Sequence, residues 1–357
     1  MSTDHYALPV GEKTWSIPGA FDTTFQWEYD DVRGQLLTLY SKGKQKQWDG
    51  ATKLDWSTEV DPGGKYFPDF YVPIYGSPTW EKLNEAEQAD VRHNMGAWLN
   101  SQFLHGEQGA LVCTAKIVMS VPDIDSKFYA ATQVMDEARH VEVYDRYLRE
   151  KIEMAYPINQ YLKTLLDQVL SDSRWDFTYL GMQIMIEGLA LAAFAMIRDY
   201  SEEPLSKALN TYVMQDEARH VAFGRLALRD VYPQMTQAER DEREEFVCEA
   251  SRLMYARFMA QEVWEHMGFD TKECLAYVEQ AEIMKFFRQA LFSRIVPTVK
   301  DIGLWGPKVR ALYEEMGVIN FQDLVPDELS AADEQIAHEL DARRGQVEET
   351  IAAGAEN

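Results

Sequence analysis

Cysteine is scarce in this chain of 357 residues, and basic residues are outnumbered. The three cysteines, Cys113, Cys248 and Cys274, are odd in number and widely spaced, which argues against a disulfide framework or a zinc ribbon. The chain has 59 acidic and 35 basic residues, hence a formal charge of −24. Such a charge disfavours a nucleic-acid groove or an anionic membrane surface. We therefore expect neither nucleic acid nor membrane among its partners.

Long apolar runs and strand patterns are also scarce. We find no run of about 20 apolar residues, and the first 18 residues lack the basic start and apolar core of a signal peptide. No alternation of apolar and polar residues is long enough to demand a β-sheet. Together with 46% hydrophobic residues, these features predict a cytoplasmic, all-α protein with a substantial core.

Prolines and capping residues divide the chain into helical segments. Residues 1–83 are predicted to form an extension that packs on a helix bundle at 84–231, and residues 232–357 to form helices that complete the same domain. Ser171-Asp172-Ser173 is a candidate cap for the helix that carries Glu187. The other predicted helices cover approximately 84–120, 123–156, 158–170, 205–231, 236–266, 271–292, 307–316 and 327–352.

A duplicated motif is the main functional signal. The hexapeptide Asp-Glu-Ala-Arg-His-Val occurs at 136–141 and again at 216–221, and in each case a glutamate, Glu107 or Glu187, lies thirty residues upstream. Glutamate and histidine three positions apart project from the same helix face. One glutamate from each of two helices and one Glu-x-x-His pair from each of two others is the arrangement of carboxylate-bridged dimetal bundles. The predicted ligands are Glu107, Glu137, His140, Glu187, Glu217 and His220.

This set of ligands indicates which metals the site binds. Carboxylates are hard ligands that can bridge two metals, and each histidine supplies one neutral nitrogen. Four glutamates and two histidines leave open coordination positions where dioxygen can bind. The sequence therefore predicts two iron ions, with Mn/Fe or manganese as alternatives, and O2 as co-substrate.

Residues around the ligands have predicted supporting roles. Asp136 and Asp216 can accept the second ring proton of a ligating histidine on the neighbouring helix, and Arg139 and Arg219 can pair with these aspartates. Other side chains lie about one turn from the ligands and are candidates for a substrate pocket. The pocket candidates are Phe103, Tyr144, Gln183, Leu191, Val213 and Phe223.

These residues resemble the ferritin-like diiron carboxylate superfamily over about residues 84–231. The stretch 103–110 and the first Asp-Glu-Ala-Arg-His motif are most similar to the catalytic subunit of bacterial multicomponent monooxygenases. This resemblance implies that the six predicted ligands bind iron, and that the protein reductively activates dioxygen to oxidise an organic substrate.

The sequence also departs from known members of the superfamily. The monooxygenase subunits are longer and carry a threonine where this chain has Leu191. Tyr144 follows His140 by the spacing of the radical tyrosine in the ribonucleotide reductase small subunit. Arylamine N-oxygenases add a histidine ligand at the position of Val213, which disfavours a standard member of that group without excluding amine oxidation.

The expected function is that of an O2-dependent diiron monooxygenase or oxidase acting on a small organic molecule. The alternatives are a radical-generating or ligand-binding oxidase protein that uses Tyr144, an amine N-oxygenase, an iron-storage protein and a bundle with structural metal. No nucleotide-binding motif or cysteine cluster could hold a flavin or an iron–sulfur centre. We therefore expect an external reductase or ferredoxin, and a homodimer built on helices outside the metal bundle.

Overall fold

The computed structural model describes residues 5–10, 14–27, 29–65, 67–336, 339 and 342. Within these residues the secondary structure is helical, and the one β-bridge joins Tyr6 to Ala155. The predicted all-α class, a four-helix bundle with flanking helices, is confirmed. Part of the predicted helix at 327–352 lies outside the described residues; its first part, residues 326–336, is helical.

The helices of the bundle come from the middle of the chain. They are α3 (Glu85–Ser120), α4 (Ile124–Tyr147), α7 (Glu187–Tyr200) and α8 (Pro204–Arg229). The flanking helices are α1 (Gly34–Gln45), α2 (Gly50–Lys53), α5 (Gln160–Ser171), α6 (Trp175–Tyr179), α9 (Gln237–Ala256), α10 (Gln261–His266), α11 (Thr271–Gln280), α12 (Glu282–Ala290), α13 (Ile295–Asp301) and α14 (Pro307–Glu315). Short 3-10 turns cover Asp69–Tyr71, Trp80–Lys82, Tyr232–Gln234, Arg257–Met259, Leu291–Ser293 and Ile319–Asp323.

Polar caps set where the bundle helices begin. Asn84 and Glu87 form a capping box at the start of α3, so that three free backbone N–H groups find side-chain acceptors. Asp123 accepts from the backbone N–H of Ser126 at the start of α4. Glu203 caps α8, and Pro204 occupies its first turn, where no donor is needed. Helices α3 and α4 pack together as one hairpin, and α7 and α8 as the second.

Helix α7 is the last part of a longer continuous helix. Residues Leu180–Ile186 form a π-helical segment between α6 and α7, which ends directly before Glu187. The whole helix, Trp175–Tyr200, is long and apolar enough to cross a membrane, but 83% of its apolar window is buried inside the protein. Gln183 and Glu187 interrupt the sequence of this helix, so it contains no uninterrupted run of about 20 apolar residues, as expected.

Two predicted helix ends differ from the structure. Helix α4 continues as a π-helical turn only to Ile152, and Glu153 then adopts a left-handed conformation with φ of 57°, so the predicted end at 156 is too late. The cap predicted at Ser171-Asp172-Ser173 is also wrong, since Arg174 is the N-cap residue of α6 and its side chain caps nothing.

Two predicted long helices are broken. The helix predicted at 236–266 is interrupted at Ala260, whose φ is 49°, and the Trp264 indole N–H binds the Met259 carbonyl there. The helix predicted at 271–292 is interrupted at Ala281, and the buried Arg288 guanidinium donates to the carbonyls of Val278 and Glu279. In both cases a side chain from the helix that follows the break satisfies backbone groups that the break sets free.

The flanking segments pack on the bundle from both sides. Helix α1 contacts α4 and α8, whereas α9 contacts α5, the π-helical segment and α14. One continuous core of buried hydrophobic residues joins the three parts of the chain. The division at residues 83 and 231 stays a prediction.

Candidate dimetal site

The bundle brings together all six predicted ligand residues. Glu107 lies on α3, Glu137 and His140 on α4, Glu187 at the start of α7, and Glu217 and His220 on α8. Each residue is at most 5% exposed. Burial of so many acidic groups is costly unless they are paired or bind metal.

The six side chains form two overlapping groups. Glu107, Glu137, His140 and Glu217 make one group, and Glu137, Glu187 and His220 make the other; within each group the potential ligand atoms lie within 4.8 Å of one another. Glu137 belongs to both groups, as a bridging carboxylate would. The arrangement offers two adjacent metal positions.

The Nδ1 atoms of the two histidines face the carboxylates. His140 Nδ1 lies 3.1 Å from Glu107 Oε2 and 3.2 Å from Glu217 Oε1. His220 Nδ1 lies 3.0 Å from Glu137 Oε1. Both Nδ1 atoms therefore point to the space between the four helices.

Several buried atoms in this space form no hydrogen bond among the described residues, although some of them lie 3.0–3.4 Å from an oppositely charged group. They include Glu137 Oε2, Glu187 Oε2, both carboxylate oxygens of Glu217 and His220 Nδ1. Unsatisfied groups inside a protein cost free energy, and a cluster of them marks the position of a missing ligand. Because the atoms are hard oxygens with imidazole nitrogens, they fit iron or manganese.

The charges in the cluster shift its pKa values strongly. Burial, together with the charge of Glu217, raises the pKa of Glu107 to about 8. Burial also raises the pKa of Glu187 well above its usual range, as do the charges of Glu217 and Glu137. Burial lowers the pKa of His140, but hydrogen bonds with Asp216 and Glu107 outweigh this effect and raise it. Without metal, the cluster thus holds protons that bound cations would displace.

Asp136 and Asp216 each bind the Nε2 atom of the histidine in the other copy of the motif. His140 Nε2 lies 3.1 Å from Asp216 Oδ2, and His220 Nε2 lies 3.3 Å from Asp136 Oδ2. Each aspartate thus serves the histidine of the other Glu-x-x-His helix. An aspartate that accepts the Nε2 proton leaves the Nδ1 lone pair free for a metal.

Both predicted arginines bridge the aspartates. Arg139 donates to Asp136 and, at 2.9 Å, to Asp216. Arg219 binds Asp216 and lies 3.7 Å from Asp136. Although burial raises the pKa of Asp216, its contacts with Arg219 and His140 outweigh burial and hold the pKa far below the usual range.

The sequence analysis missed two residues of this network. Gln47 donates to Asp136 at 2.7 Å and accepts from Arg139 at 2.7 Å. The indole N–H of Trp48 donates to Asp216 at 2.8 Å. Both lie in the connection between α1 and α2, where no periodic pattern or motif marks them. Their proximity to the site is a tertiary contact with no signal in the sequence.

A third missed residue is Gln133, one turn before Glu137. Its side-chain amide lies between Glu137 and Glu187, at 2.9 Å from an oxygen of each. The spacing of four residues from a ligand could have identified it.

The pocket candidates separate into two sets. Phe103 lines an apolar cavity of about 180 Å3 between α3, α7 and the N-terminal segment, which is also lined by Val60, Tyr71, Leu99, Ala193, Met196 and Phe287. The other five candidates do not line this cavity and are fully buried, with exposures of at most 2%. They are Tyr144, Gln183, Leu191, Val213 and Phe223.

Phe103 belongs to an aromatic cluster. The Phe103 ring lies 4.8 Å from that of Phe194 and 5.7 Å from that of Tyr144. Phe103 precedes Glu107 by one helical turn. The cavity therefore ends against an aromatic side chain adjacent to a predicted ligand.

Comparison with known proteins identifies the family. The model of the family described as P-aminobenzoate N-oxygenase AurF matches residues 30–303. This range contains all six predicted ligands and most of the chain. The chain belongs to this family. No curated protein matches the chain.

Solved structures are similar in fold. A variant of an R2-like ligand-binding oxidase with an aerobically reconstituted Mn/Fe cofactor has a TM-score of 0.51 and 15% identity, over 76% of this chain and 94% of the other. A protein from Synechococcus with aldehyde deformylating oxidase activity has a TM-score of 0.47 and 15% identity, over 61% of this chain and 94% of the other. At 15% identity, the likeness to the R2-like oxidase shows the fold alone.

These findings confirm the predicted superfamily and the O2-dependent oxidoreductase function with a dimetal cofactor and a small-molecule substrate. Within the superfamily, the matched family is the N-oxygenase group, which the sequence analysis ranked below the multicomponent monooxygenases. The departure that led to this ranking is present in the structure, since the buried Val213 stands where those enzymes have a histidine ligand.

Proposed function

We propose that this protein is a dimetal N-oxygenase that oxidises a small, mainly apolar amine. The observation that carries the proposal is a buried carboxylate–histidine cluster with ligand atoms that form no hydrogen bond, together with an apolar cavity lined by Phe103, one helical turn before Glu107. Family membership supports nitrogen as the oxidised atom. The proposed metal ligands are Glu107, Glu137, His140, Glu187, Glu217 and His220.

A bound metal pair would supply the redox chemistry with dioxygen. The protein side chains contribute position and charge: Glu137 belongs to both metal positions, and the crossed aspartates hold the two imidazoles with Nδ1 inward. In the overall reaction the amine nitrogen gains one oxygen atom and becomes a hydroxylamine. The second oxygen atom leaves as water, which requires two further electrons and two protons.

The cavity indicates the substrate class. An apolar cavity of about 150 Å3 can hold benzene, so a cavity of about 180 Å3 suits one substituted ring. Arg92 is the basic residue in its lining, but its guanidinium already binds Asp69, Glu85 and the Gly63 carbonyl. A substrate carboxylate would therefore compete with existing pairs. A ring with an uncharged substituent fits better.

The proposal is tested with ferrous iron, dioxygen and matched substrates. Protein loaded anaerobically is mixed with dioxygen and a reductant in the presence of 4-ethylaniline, p-aminobenzoate or ethylbenzene, and products are identified by mass spectrometry. We expect a hydroxylamine from 4-ethylaniline and less product from p-aminobenzoate. Oxidation at carbon in ethylbenzene, with no oxidation of either amine, would contradict N-oxygenation while leaving oxygenase chemistry in place.

A radical-generating role for Tyr144 is the second candidate. The Tyr144 hydroxyl donates to Asn210 Oδ1 at 2.9 Å, and burial together with Glu107 and Glu217 raises its pKa well above the usual value. A neutral amide is a poor proton acceptor, so this contact favours an intact phenol over a radical. A tyrosyl radical signal after reaction with dioxygen, lost in Tyr144→Phe, would favour the radical role instead.

We further propose an external reductase or ferredoxin as the electron donor. The three cysteines are unpaired and buried, and they are too far apart in sequence to form a cluster motif. Unpaired cysteines also support a reducing, cytoplasmic location.

A homodimer is proposed as well. Four exposed apolar side chains lie on the surface of the α3–α4 hairpin, which is part of the bundle rather than outside it. They are Val112, Met119, Phe128 and Met135. Light scattering of the purified protein would determine its oligomeric state.

A further inference from the structure

Gln133 occupies an unusual position beside the proposed metal ligands. Its side chain is completely buried on α4, and its Nε2 donates to Glu137 Oε1 and to Glu187 Oε1, each at 2.9 Å. The second oxygen of each carboxylate forms no hydrogen bond among the described residues, and that of Glu137 lies 3.3 Å from His140 Nδ1, another proposed ligand atom. One oxygen of each carboxylate is thus fixed, and the other is free for a cation.

The internal duplication contains no second copy of this amide. A shift of eighty residues places Glu107 on Glu187, Glu137 on Glu217 and His140 on His220. The same shift places Gln133 on Val213, which has no hydrogen-bonding side chain. The two halves therefore match in their charged ligands, but only the first half has an amide one turn before the glutamate of its Glu-x-x-His pair.

The two terminal glutamates consequently have different surroundings. Glu187 accepts from the Gln133 amide, whereas the hydrogen bond of the Glu107 carboxylate among the described residues is to His140, itself a proposed ligand. When metal occupies the site, His140 Nδ1 would bind the metal and release this contact. Glu187 would keep its contact with Gln133.

We propose that Gln133 is a positioning residue that makes the two metal positions unequal. It holds Glu137 and Glu187 so that their free oxygens are oriented before the metal arrives, which favours the position formed by Glu137, Glu187 and His220. Preorganised ligands bind with less loss of side-chain freedom, and hydrogen bonds to ligating groups commonly change metal affinity by roughly 10–100-fold. The inference rests on the ligand assignment of the proposed function.

The test is an anaerobic titration of the full-length metal-free protein with Co2+, followed by absorption spectroscopy and by metal analysis. We expect wild type to bind two ions in two steps of unequal affinity. In Gln133→Leu and in the more closely shaped Gln133→Met, the tighter step should weaken by about 10–100-fold while the weaker step is unchanged. Val213→Ile, at the equivalent position of the other half, should leave both steps as in wild type.

The possible outcomes distinguish a failure of the inference on Gln133 from a failure of the dimetal assignment. If wild type binds fewer than two ions, the dimetal assignment fails. If wild type binds two ions, the dimetal site stands. The inference on Gln133 is then overturned if both Gln133 variants bind with wild-type affinities, or if the affinities of both binding steps fall equally. Circular dichroism and thermal melting of the metal-free variants show whether each is folded. Gln133→Met removes the amide and keeps a similar side-chain volume. If Gln133→Leu is unfolded, the result for Gln133→Met alone tests the inference.

Discussion

At the scale of single residues, each proposed ligand costs free energy when it is buried alone, whereas the six together can bind metal. Glu187 is 3% exposed, and one of its oxygens has no partner among the described residues. An isolated charged carboxylate in such a place costs on the order of several kcal/mol, and burial, with the charges of Glu217 and Glu137, raises the pKa of Glu187 well above its usual value. A bound metal ion would offset this cost.

Substitution of Glu187 tests this explanation. In Glu187→Ala we expect at least one of the two metals and the oxygen uptake to be lost, because the second position would keep only Glu137 and His220. Metal per chain is measured after anaerobic loading and gel filtration. Glu142→Ala, an exposed glutamate on α4, is the matched control and should retain both metals. Tight binding of two irons by Glu187→Ala would refute the ligand assignment.

Gln183 allows a prediction on stability. It is completely buried, one turn before Glu187, and neither polar atom of its amide has a partner among the described residues. Gln183→Met keeps a similar volume and removes an unsatisfied amide, which should raise the free energy of unfolding by about 1–3 kcal/mol. Urea denaturation of the metal-free protein measures the change.

Gln102 provides the matched control for Gln183. It is equally buried, but its amide donates to the Pro157 carbonyl and accepts from the Asn159 backbone N–H. Gln102→Met should therefore destabilise the protein, since two backbone groups lose their partners. Destabilisation of both variants would show that Gln183 has a partner, such as an ordered water molecule.

At the scale of secondary-structure elements, the N-terminal segment is part of the metal centre. The connection between α1 and α2 supplies Gln47 and Trp48, which bind the aspartates behind the histidines. The Trp48 ring also lies against the Arg139 guanidinium, at 4.8 Å. An extension that packs on the bundle thereby fixes side chains that orient the proposed ligands.

Trp48→Phe tests the contribution of this segment. The variant keeps an aromatic ring and removes the N–H donated to Asp216, so we expect metal affinity to fall by roughly 10-fold, at the lower end of effects from such outer contacts. A competition assay with a chromophoric chelator measures the affinity. In Trp56→Phe the lost hydrogen bond is to the Gly50 carbonyl, away from the aspartates, and metal affinity should be unchanged. Equal affinities in all three proteins would contradict the role of Trp48.

The sequence analysis did not predict the helix breaks at Ala260 and Ala281. Ala260 and Ala281 are good helix formers, and their neighbourhoods contain no proline or glycine that would end a helix. The breaks are compatible with burial because Trp264 and Arg288 satisfy the released carbonyls. Such partners are set by tertiary packing, which overrides local propensity.

At the scale of the whole molecule, the buried cluster predicts how stability depends on pH. Without metal, the folded protein holds protons on Glu107, whose pKa is about 8, and on His140 and His220, whose pKa values are raised. Between pH 6 and pH 8 the folded state thus binds more protons than the unfolded state, so stability falls as pH rises. The lowered pKa of Asp216 acts only in the acidic range.

The expected result is a lower melting temperature at pH 8 than at pH 6 for the metal-free protein. Metal binding requires deprotonated carboxylates and neutral imidazoles, so the stabilisation by added metal should be larger at pH 8. Calorimetry at both pH values, with and without metal, measures both effects. A melting temperature of the metal-free protein that rises from pH 6 to pH 8 would contradict the protonation of Glu107, His140 and His220 described above.

The sequence by itself determined the site because the proposed ligands obey local rules. Glutamate and histidine three residues apart share a helix face, and the repeat at eighty residues links the two halves. Polar caps such as Asn84 and Asp123 likewise marked the helix starts. These features depend on short-range geometry, which periodicity and spacing record.

Only the tertiary structure decided what surrounds the ligands. Trp48 and Gln47 reach Asp216 and Asp136 across 168 and 89 residues of chain. The cavity likewise combines side chains from the N-terminal segment, α3, α7 and α12. Such contacts arise when helices pack, and the free energy of packing depends on shape and burial across the whole core rather than on local order along the chain.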